Sequence, residues 1–380
     1  MHKKVAVLGA TGSIGKSTLD ILRNSKDRYR PVLFSAHKNH EELISLKKEF
    51  PGALAAFSGD NSALPPEIDF FGKQGLLDAI AAAGPDITVN GIAGAAGLEP
   101  SAAVLNAGSD LALANKETIV MAGNIIMDLA RKKKRNIIPV DSEHFAVFKL
   151  LQAHGNDNAG EIILTASGGP FRNYSMEQLK AVTVADALAH PTWKMGPKIT
   201  VDSATMANKG LEVIEAAKLF GFPPERIKVA IHPQSIVHSM IRLKDGAVYA
   251  QLSNPDMKLP IFGALCWPAT ENSGYGRLDF ESLSLNFEKP DMEKFPMLGL
   301  AYRALQHGKH LPPVYNAANE TAVEAFFKNR ISFLEIPGVV EYVLDQGFLN
   351  AGECETIETA LELDREARKK AEIYIESRSR

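Results

Sequence analysis

KKVAVLGATGSIG, residues 3–15, reads as a short apolar strand, a glycine turn and the opening of a helix. Gly9, Gly12 and Gly15 fall where backbone amides and a helix N-terminus can cradle a pyrophosphate. Any tight strand-to-helix turn favours glycine, so the triplet by itself leaves an ordinary turn open. A second strand, PVLFSA, begins about twenty residues on, which favours a dinucleotide site. NAD enzymes usually end that strand on an acidic residue that accepts from the ribose 2′-hydroxyl. Here it runs into Ser35-Ala36-His37-Lys38-Asn39, where a lysine among polar donors suits a 2′-phosphate, so NADP(H) is expected. An exposed loop lysine is the plainer alternative.

Outward from that stretch, GKSTLDILRN, EELISLKKEF, DITVNG, DLALAN and NIIPV keep strands and helices alternating, the rhythm of a parallel sheet wound with helices. From EIILTASGGPF to about Trp267 the pattern changes to extended runs, KITVDSA, IKVAIHP and GAVYAQLS, between Gly/Pro-rich loops. PATENSGYGRLDFESLSLNFEKP reads as a surface connection, and the stretches after it are apolar at helical spacing. The expected class is α/β: a Rossmann-like domain over 1–141, an α+β domain over 142–267, a linker over 268–290 and a helical domain over 291–380.

Composition bounds the function. With 380 residues and 45% apolar side chains the chain can bury more than one core. Its net charge of -3 provides no general field for nucleic acid or an anionic membrane, so neither partner is expected. The first residues lack the apolar stretch of a signal peptide, no run reaches membrane-spanning length, and the only cysteines are Cys266 and Cys354. That excludes a disulfide framework and points to a reducing, cytoplasmic setting. The basic run Arg131 to Arg135 reads as a solvated helix end.

Asp141-Ser142-Glu143 follows NIIPV, and in an extended segment residues two apart point to one side, so both carboxylates can converge on a cation. Glu212 lies in DSATMANKGLEVIEAAKLF, and ligation by carboxylates alone suits Mg²⁺ or Mn²⁺ rather than zinc. The alternative for the triplet is a helix N-cap. Ser203, Asn208 and Lys209 combine short polar donors with one cation, as an anion site would. Asn208 and Glu212 are four apart on the expected helix, so one face can serve phosphate and metal. Ser167, in the glycine-rich TASGGPF, is a second candidate phosphate donor, with ordinary turn chemistry as its alternative. HPTWKMG, residues 190–196, has the composition of a lid over a ligand, whereas His232 and His238 read as structural.

Taken together, GATGSIG, AHKN, LANKE, VDSEH, TASGGPF, HPTWKMG, VDSATMANKGLE, HPQSIVHS and LPPVYNAANE occur in the order found in the 1-deoxy-D-xylulose 5-phosphate reductoisomerase family, which the chain resembles throughout its length. The resemblance implies a homodimer, with an N-terminal NADPH domain, a central domain for catalysis and dimer contact, and a helical C-terminal domain. It implies that a sugar phosphate rearranges to an aldehyde on Mn²⁺, Mg²⁺ or Co²⁺ and is then reduced by NADPH. By matched motif, Thr11, Gly12, Ser13 and Ile14 would meet the pyrophosphate, and Ala36, His37, Lys38 and Asn39 the adenosine end, with Lys38 and Asn39 on the 2′-phosphate. Asn115, Glu117 and Gly196 would complete the cofactor site. Asp141, Glu143 and Glu212 would hold the metal. Lys116, Ser142, Glu143, Ser167, His190, Ser203, Asn208, Lys209 and Glu212 would contact substrate, with Lys116 and the three carboxylates catalytic. Two positions depart from the family pattern: Ala10, where serine is common, and His37, where glycine is expected. Two other readings fit parts of the pattern: a metal-free NADP-dependent semialdehyde or polyol-phosphate dehydrogenase, and a non-catalytic NADP sensor.

Overall fold

The computed structural model describes residues 2–59, 65–189, 192–193, 195–308, 310–348 and 354–378. The chain forms two compact units, one of Met1–Thr118, Asn124–Phe145 and Asp256–Gly276, the other of Ile119–Gly123, Ala146–Pro255 and Arg277–Arg380.

The first unit is built on a seven-stranded sheet. Its strands are β1 (Lys3–Leu8), β2 (Tyr29–Ala36), β3 (Leu54–Phe57), β4 (Phe70–Phe71), β5 (Ile87–Asn90), β6 (Asp110–Leu113) and β7 (Ile137–Pro139). They pair in the order β4-β3-β2-β1-β5-β6-β7, all parallel. Parallel strands need crossovers, and the helices that make them cover both faces, which is why ITVN in β5 is buried at every residue. The sheet grows one way from β1 to β4 and the other way from β5 to β7. Between β1 and β5, therefore, lies the switch point where such sheets open a crevice at their carboxyl ends. The turn Gly9–Gly12 leaves β1 at that point. Helix Lys258–Cys266 returns late in the chain to pack against helix Ser13–Asn24.

The second unit holds a four-stranded sheet of β8 (Ala159–Ala166), β9 (Ile227–Ile231), β10 (Val237–Leu243) and β11 (Val248–Leu252), in the order β11-β10-β8-β9. Only β8 and β9 run parallel. Helices Pro197–Ala204 and Ala207–Phe220 lie between β8 and β9 in sequence. Four later helices, Met297–Gln306, Leu311–Phe327, Ile336–Asp345 and Ile357–Arg378, pack on one another, and the first of them also packs on Ala207–Phe220. Residues 277–290 carry no helix and join the sheet at Glu288, whose backbone exchanges two hydrogen bonds of 2.9 Å with Ile231.

One expectation is corrected. KITVDSA is not extended; it lies in helix Pro197–Ala204. Pro197 occupies the first helical turn, where its missing N–H has no partner to lose, and Thr200 Oγ1 donates back to the Gly196 carbonyl at 2.9 Å. The buried set Thr200, Val201 and Ala204 follows a helical stripe, so tertiary burial overrides the β-branched composition. No helix among the described residues is long and apolar enough to cross a membrane.

Candidate active site

The cofactor end is shaped by glycine. Gly9 has φ +74°, a left-handed value, and a Cβ there would lie 2.9 Å from the Gly91 carbonyl oxygen, so only glycine lets β1 and β5 turn this closely together. A Cβ on Gly15 would lie 2.3 Å from the Ala10 carbonyl oxygen. Helix Ser13–Asn24 starts after Gly12 with no side chain capping it and no acidic residue in its first turn. Gly12 and Ser13 are exposed at this helix end, and the Gly12 amide donates back to the Gly9 carbonyl at 3.0 Å. A positive helix end without an internal anion fits a pyrophosphate.

At the end of β2, Ser35 and Ala36 are buried and His37, Lys38 and Asn39 are exposed. Ser35 Oγ accepts from the Gly9 amide at 3.0 Å, tying this strand end to the glycine turn. His37 Nδ1 lies 3.3 Å from Ser58 Oγ. Asn39 caps helix His40–Glu49: its Oδ1 accepts from the Glu42 amide at 3.0 Å, and its Nδ2 donates to Glu42 Oε2 at 2.9 Å.

Asn115 is likewise a cap. Its Oδ1 accepts from the Thr118 amide at 2.9 Å at the start of helix Lys116–Lys133. Its Nδ2 lies 2.7 Å from the Ile92 carbonyl, 2.9 Å from that of Gly94 and 3.1 Å from Glu117 Oε2. The side chain therefore holds the loop after β5, and Gly97 makes room for it, since a Cβ there would come within 2.6 Å of that amide. Gly196 is different: among the described residues a Cβ there would meet nothing within 4 Å, and its φ of -65° is open to any residue.

Lys116 is 5% exposed, and its Nζ lies 2.7 Å from Asp141 Oδ2. Asp141 does not continue the strand, as the sequence pattern suggested. It stands before helix Ser142–His154, with its carbonyl accepting from the Phe145 amide at 2.8 Å and its Oδ1 from the Glu143 amide at 3.3 Å. Asp141 is thus a helix N-cap. Glu143 reaches the same side because the first helical turn brings it back, not because of strand alternation. Ser142 Oγ donates to Glu143 Oε2 at 2.6 Å, and the buried His144 ring lies 3.8 Å from Asp141 Oδ1.

The phosphate candidates are brought together by an unusual junction. Gly168 and Gly169 both have left-handed φ, +83° and +70°, and a Cβ on Gly169 would lie 2.7 Å from the Ser203 carbonyl oxygen. The loop that begins at Ser167 is therefore packed directly on the end of helix Pro197–Ala204. Met206 joins that helix to the next at φ 66°, strained for a side chain this bulky. Asn208 Nδ2 then donates to Glu212 Oε1 at 2.6 Å, and the buried Lys209 ammonium pairs with Glu212 Oε2. Ser167, Ser203 and Asn208 are half-buried, so their polar atoms remain within reach of a ligand. Trp193 lies 6.2 Å from the His238 ring, centroid to centroid. His190 lies outside the described residues.

Asp141 and Glu143 present two carboxylates from one helix start in the first unit, while Glu212 stands buried in helix Ala207–Phe220 of the second. Three carboxylates with no thiolate or imidazole among them make a donor set whose chemistry fits Mg²⁺ or Mn²⁺ and not a thiolate- or imidazole-based zinc centre. The sequence pattern passed over two polar features of the second unit. The Lys218 ammonium donates to the Val120 carbonyl at 3.0 Å, and Asp202 is 1% exposed one residue before Ser203.

Family models match most of the chain. The model described as 1-deoxy-D-xylulose 5-phosphate reductoisomerase covers residues 5–123, and two describing C-terminal domains of that enzyme cover 137–220 and 252–370. The chain is 50% identical over 373 residues to the 1-deoxy-D-xylulose 5-phosphate reductoisomerase of Trichlorobacter lovleyi, covering 96% of this chain and 95% of that protein. It is 49% identical to that of Treponema denticola, covering 90% of each. Among solved structures it is similar to the Zymomonas mobilis enzyme in complex with NADPH, at 39% identity and a TM-score of 0.90 over 99% of this chain and 100% of that one. A reductoisomerase in complex with NADPH, fosmidomycin and magnesium gives 37% identity and a TM-score of 0.92 over 98% of both chains.

Proposed function

The chain belongs to the 1-deoxy-D-xylulose 5-phosphate reductoisomerase family, and from that premise we propose how its own residues divide the work. The reaction is the NADPH- and divalent-metal-dependent conversion of 1-deoxy-D-xylulose 5-phosphate to 2-C-methyl-D-erythritol 4-phosphate, a step toward isoprenoid precursors. The observation that carries the assignment of roles is the buried Lys116 ammonium 2.7 Å from Asp141 Oδ2, at the helix start that also carries Glu143.

When bound, the cation polarises the substrate's carbonyl and NADPH supplies hydride. Asp141, Glu143 and Glu212 hold that cation. Lys116, beside Asp141, orients substrate hydroxyls and offsets negative charge developing on oxygen, and Ser142 and Glu143 fix the substrate's polyol end. Ser167, Ser203, Asn208 and Lys209 take the phosphate, and His190 is a further substrate contact. Because the phosphate is remote from the reacting carbons, its binding energy can be spent on orienting the substrate, while Trp193 helps to exclude water.

For the cofactor, Thr11, Gly12, Ser13 and Ile14 meet the pyrophosphate, and Lys38 takes the 2′-phosphate. Asn39, Ala36 and His37 line the adenosine end, while Asn115, Glu117 and Gly196 complete the cofactor site. The central segment 142–267 carries catalysis and the contact of a homodimer. Support for the dimer is the edge strand β11, which turns Val248 and Tyr249 outward. Both cysteines are unpaired, which supports a cytoplasmic setting.

Incubating the purified protein with 1-deoxy-D-xylulose 5-phosphate, NADPH and Mn²⁺ should lower absorbance at the nicotinamide band. EDTA should stop the reaction and added Mn²⁺ restore it. NADPH oxidation indifferent to chelation would favour a metal-free dehydrogenase instead.

A further inference from the structure

Two motifs, VDSATMANKGLE and LPPVYNAANE, contain buried polar residues to which the reaction assigns no part. Asp202 and Asn319 are 1% and 0% exposed. Asn319 Nδ2 donates to Asp202 Oδ1 at 2.8 Å, and the Lys198 ammonium lies 2.9 Å from Asp202 Oδ2. Lys198 and Asp202 share helix Pro197–Ala204, whereas Asn319 comes from helix Leu311–Phe327. On that second helix the fully buried Tyr315 donates to the Met297 carbonyl at 3.1 Å. Burial, with Asp202 nearby, pushes the Tyr315 pKa up and keeps its hydroxyl a donor. Asn319 Oδ1 and Asn316 Oδ1 have no hydrogen-bond partner among the described residues.

A carboxylate this deeply buried costs several kcal/mol unless it is paired and hydrogen-bonded, and an apolar side chain would join the two helices at less cost. What the carboxylate adds is direction. It accepts from Asn319 on the neighbouring helix while Lys198 on its own helix offsets its charge, so the directional Asn319 bond sets how helix Pro197–Ala204 faces its neighbour. The next residue is Ser203, and the carbonyl of Ser203 is the atom against which Gly169 packs. A rotation of this short helix would therefore displace Ser203 and the Ser167 loop together.

We propose that Asp202 and Asn319 are positioning residues for the substrate's phosphate: Asn319, from the C-terminal helices, fixes Asp202 and through it the turn that presents Ser203 beside Ser167. The proposal rests on the reading that Ser167, Ser203, Asn208 and Lys209 form the phosphate site. It gives the C-terminal helices a part in substrate recognition without requiring any of their side chains to touch substrate.

The test is Asn319→Leu, which keeps the branched skeleton and its number of heavy atoms and removes the donor. Steady-state constants for the sugar phosphate and for NADPH are measured, with inorganic phosphate as a competitive probe and thermal unfolding as the control. KM for the sugar phosphate and the inhibition constant of phosphate should both rise on the order of tenfold, the scale at which supporting hydrogen bonds act on a site. The KM for NADPH should stay within about twofold and kcat at saturation should change little, because neither depends on the tethered turn. Unchanged phosphate inhibition in a folded variant, or a loss shared equally by NADPH, overturns the proposal. Should Asn319→Leu fail to fold, Asn319→Gln, which moves the amide by one methylene, is read in the same way. Wild-type protein that phosphate does not inhibit competitively would instead contradict the phosphate site itself.

Discussion

Lys38 stands exposed at the end of β2, next to an Asn39 already engaged by its own helix. The positive charge for a 2′-phosphate therefore falls to Lys38, with Asn39 limited to whatever its cap geometry leaves free. Ion-assisted hydrogen bonds of this kind contribute about 1.5 to 3 kcal/mol, so Lys38→Glu should raise the KM for NADPH on the order of tenfold to a hundredfold and leave that for NADH nearly unchanged. Steady-state kinetics with both nucleotides checks this, and an intact preference for NADPH would count against Lys38. At this scale the sequence was most informative, because carboxylates, lysines and glycines declare their chemistry by type. Asp202 and Asn319 stayed silent for the same reason: an acid beside a serine, or an asparagine in an apolar helix, signals nothing until burial and partners are known.

Helices show where linear pattern stops. Helix Lys116–Lys133 kinks at Ala122, where φ is -140° and ψ 30°. The Lys218 ammonium from helix Ala207–Phe220 donates to the Val120 carbonyl at 3.0 Å beside the kink, and Cys354 Sγ approaches the Met121 carbonyl at 3.8 Å. Gly123 is needed there, since a Cβ would lie 2.6 Å from Lys218 Cδ. Burial lowers the Lys218 pKa from the ordinary 10.5 to about 8. Above pH 8 the folded chain releases this proton while the unfolded chain still holds it, so stability attributable to Lys218 rises with pH until the unfolded lysine also titrates near 10.5. Denaturation of wild type and Lys218→Met from pH 7 to 10 should show a constant difference below about pH 8 and a relative gain for wild type above it, at most about 3 kcal/mol. A difference that stays flat would place the ammonium in water. The same limit of pattern explains the misread KITVDSA and the extended geometry expected for Asp141–Glu143: β-branched composition and a preceding strand both argued for extension, whereas burial and an N-cap decided for helix.

Across the molecule, the doubly wound sheet was legible because alternating strands and helices permit few topologies, and the glycine turn marks β1 as its switch strand. The return of Asp256–Gly276 to the first unit was not legible, since it depends on packing against helix Ser13–Asn24 that no local pattern encodes. The metal ligands were half legible: their types could be read, but the helix start that sets Asp141 and Glu143 side by side needed the fold. Whether those three carboxylates share one divalent cation is the claim on which the assignment of roles turns. Titrating Mn²⁺ into the purified protein and following free ion by electron paramagnetic resonance measures it directly, with Glu212→Gln alongside. One site per chain in the wild type, weakened at least about 100-fold in the variant while NADPH binding persists, is the predicted result. Equal Mn²⁺ affinity in the two proteins would contradict it.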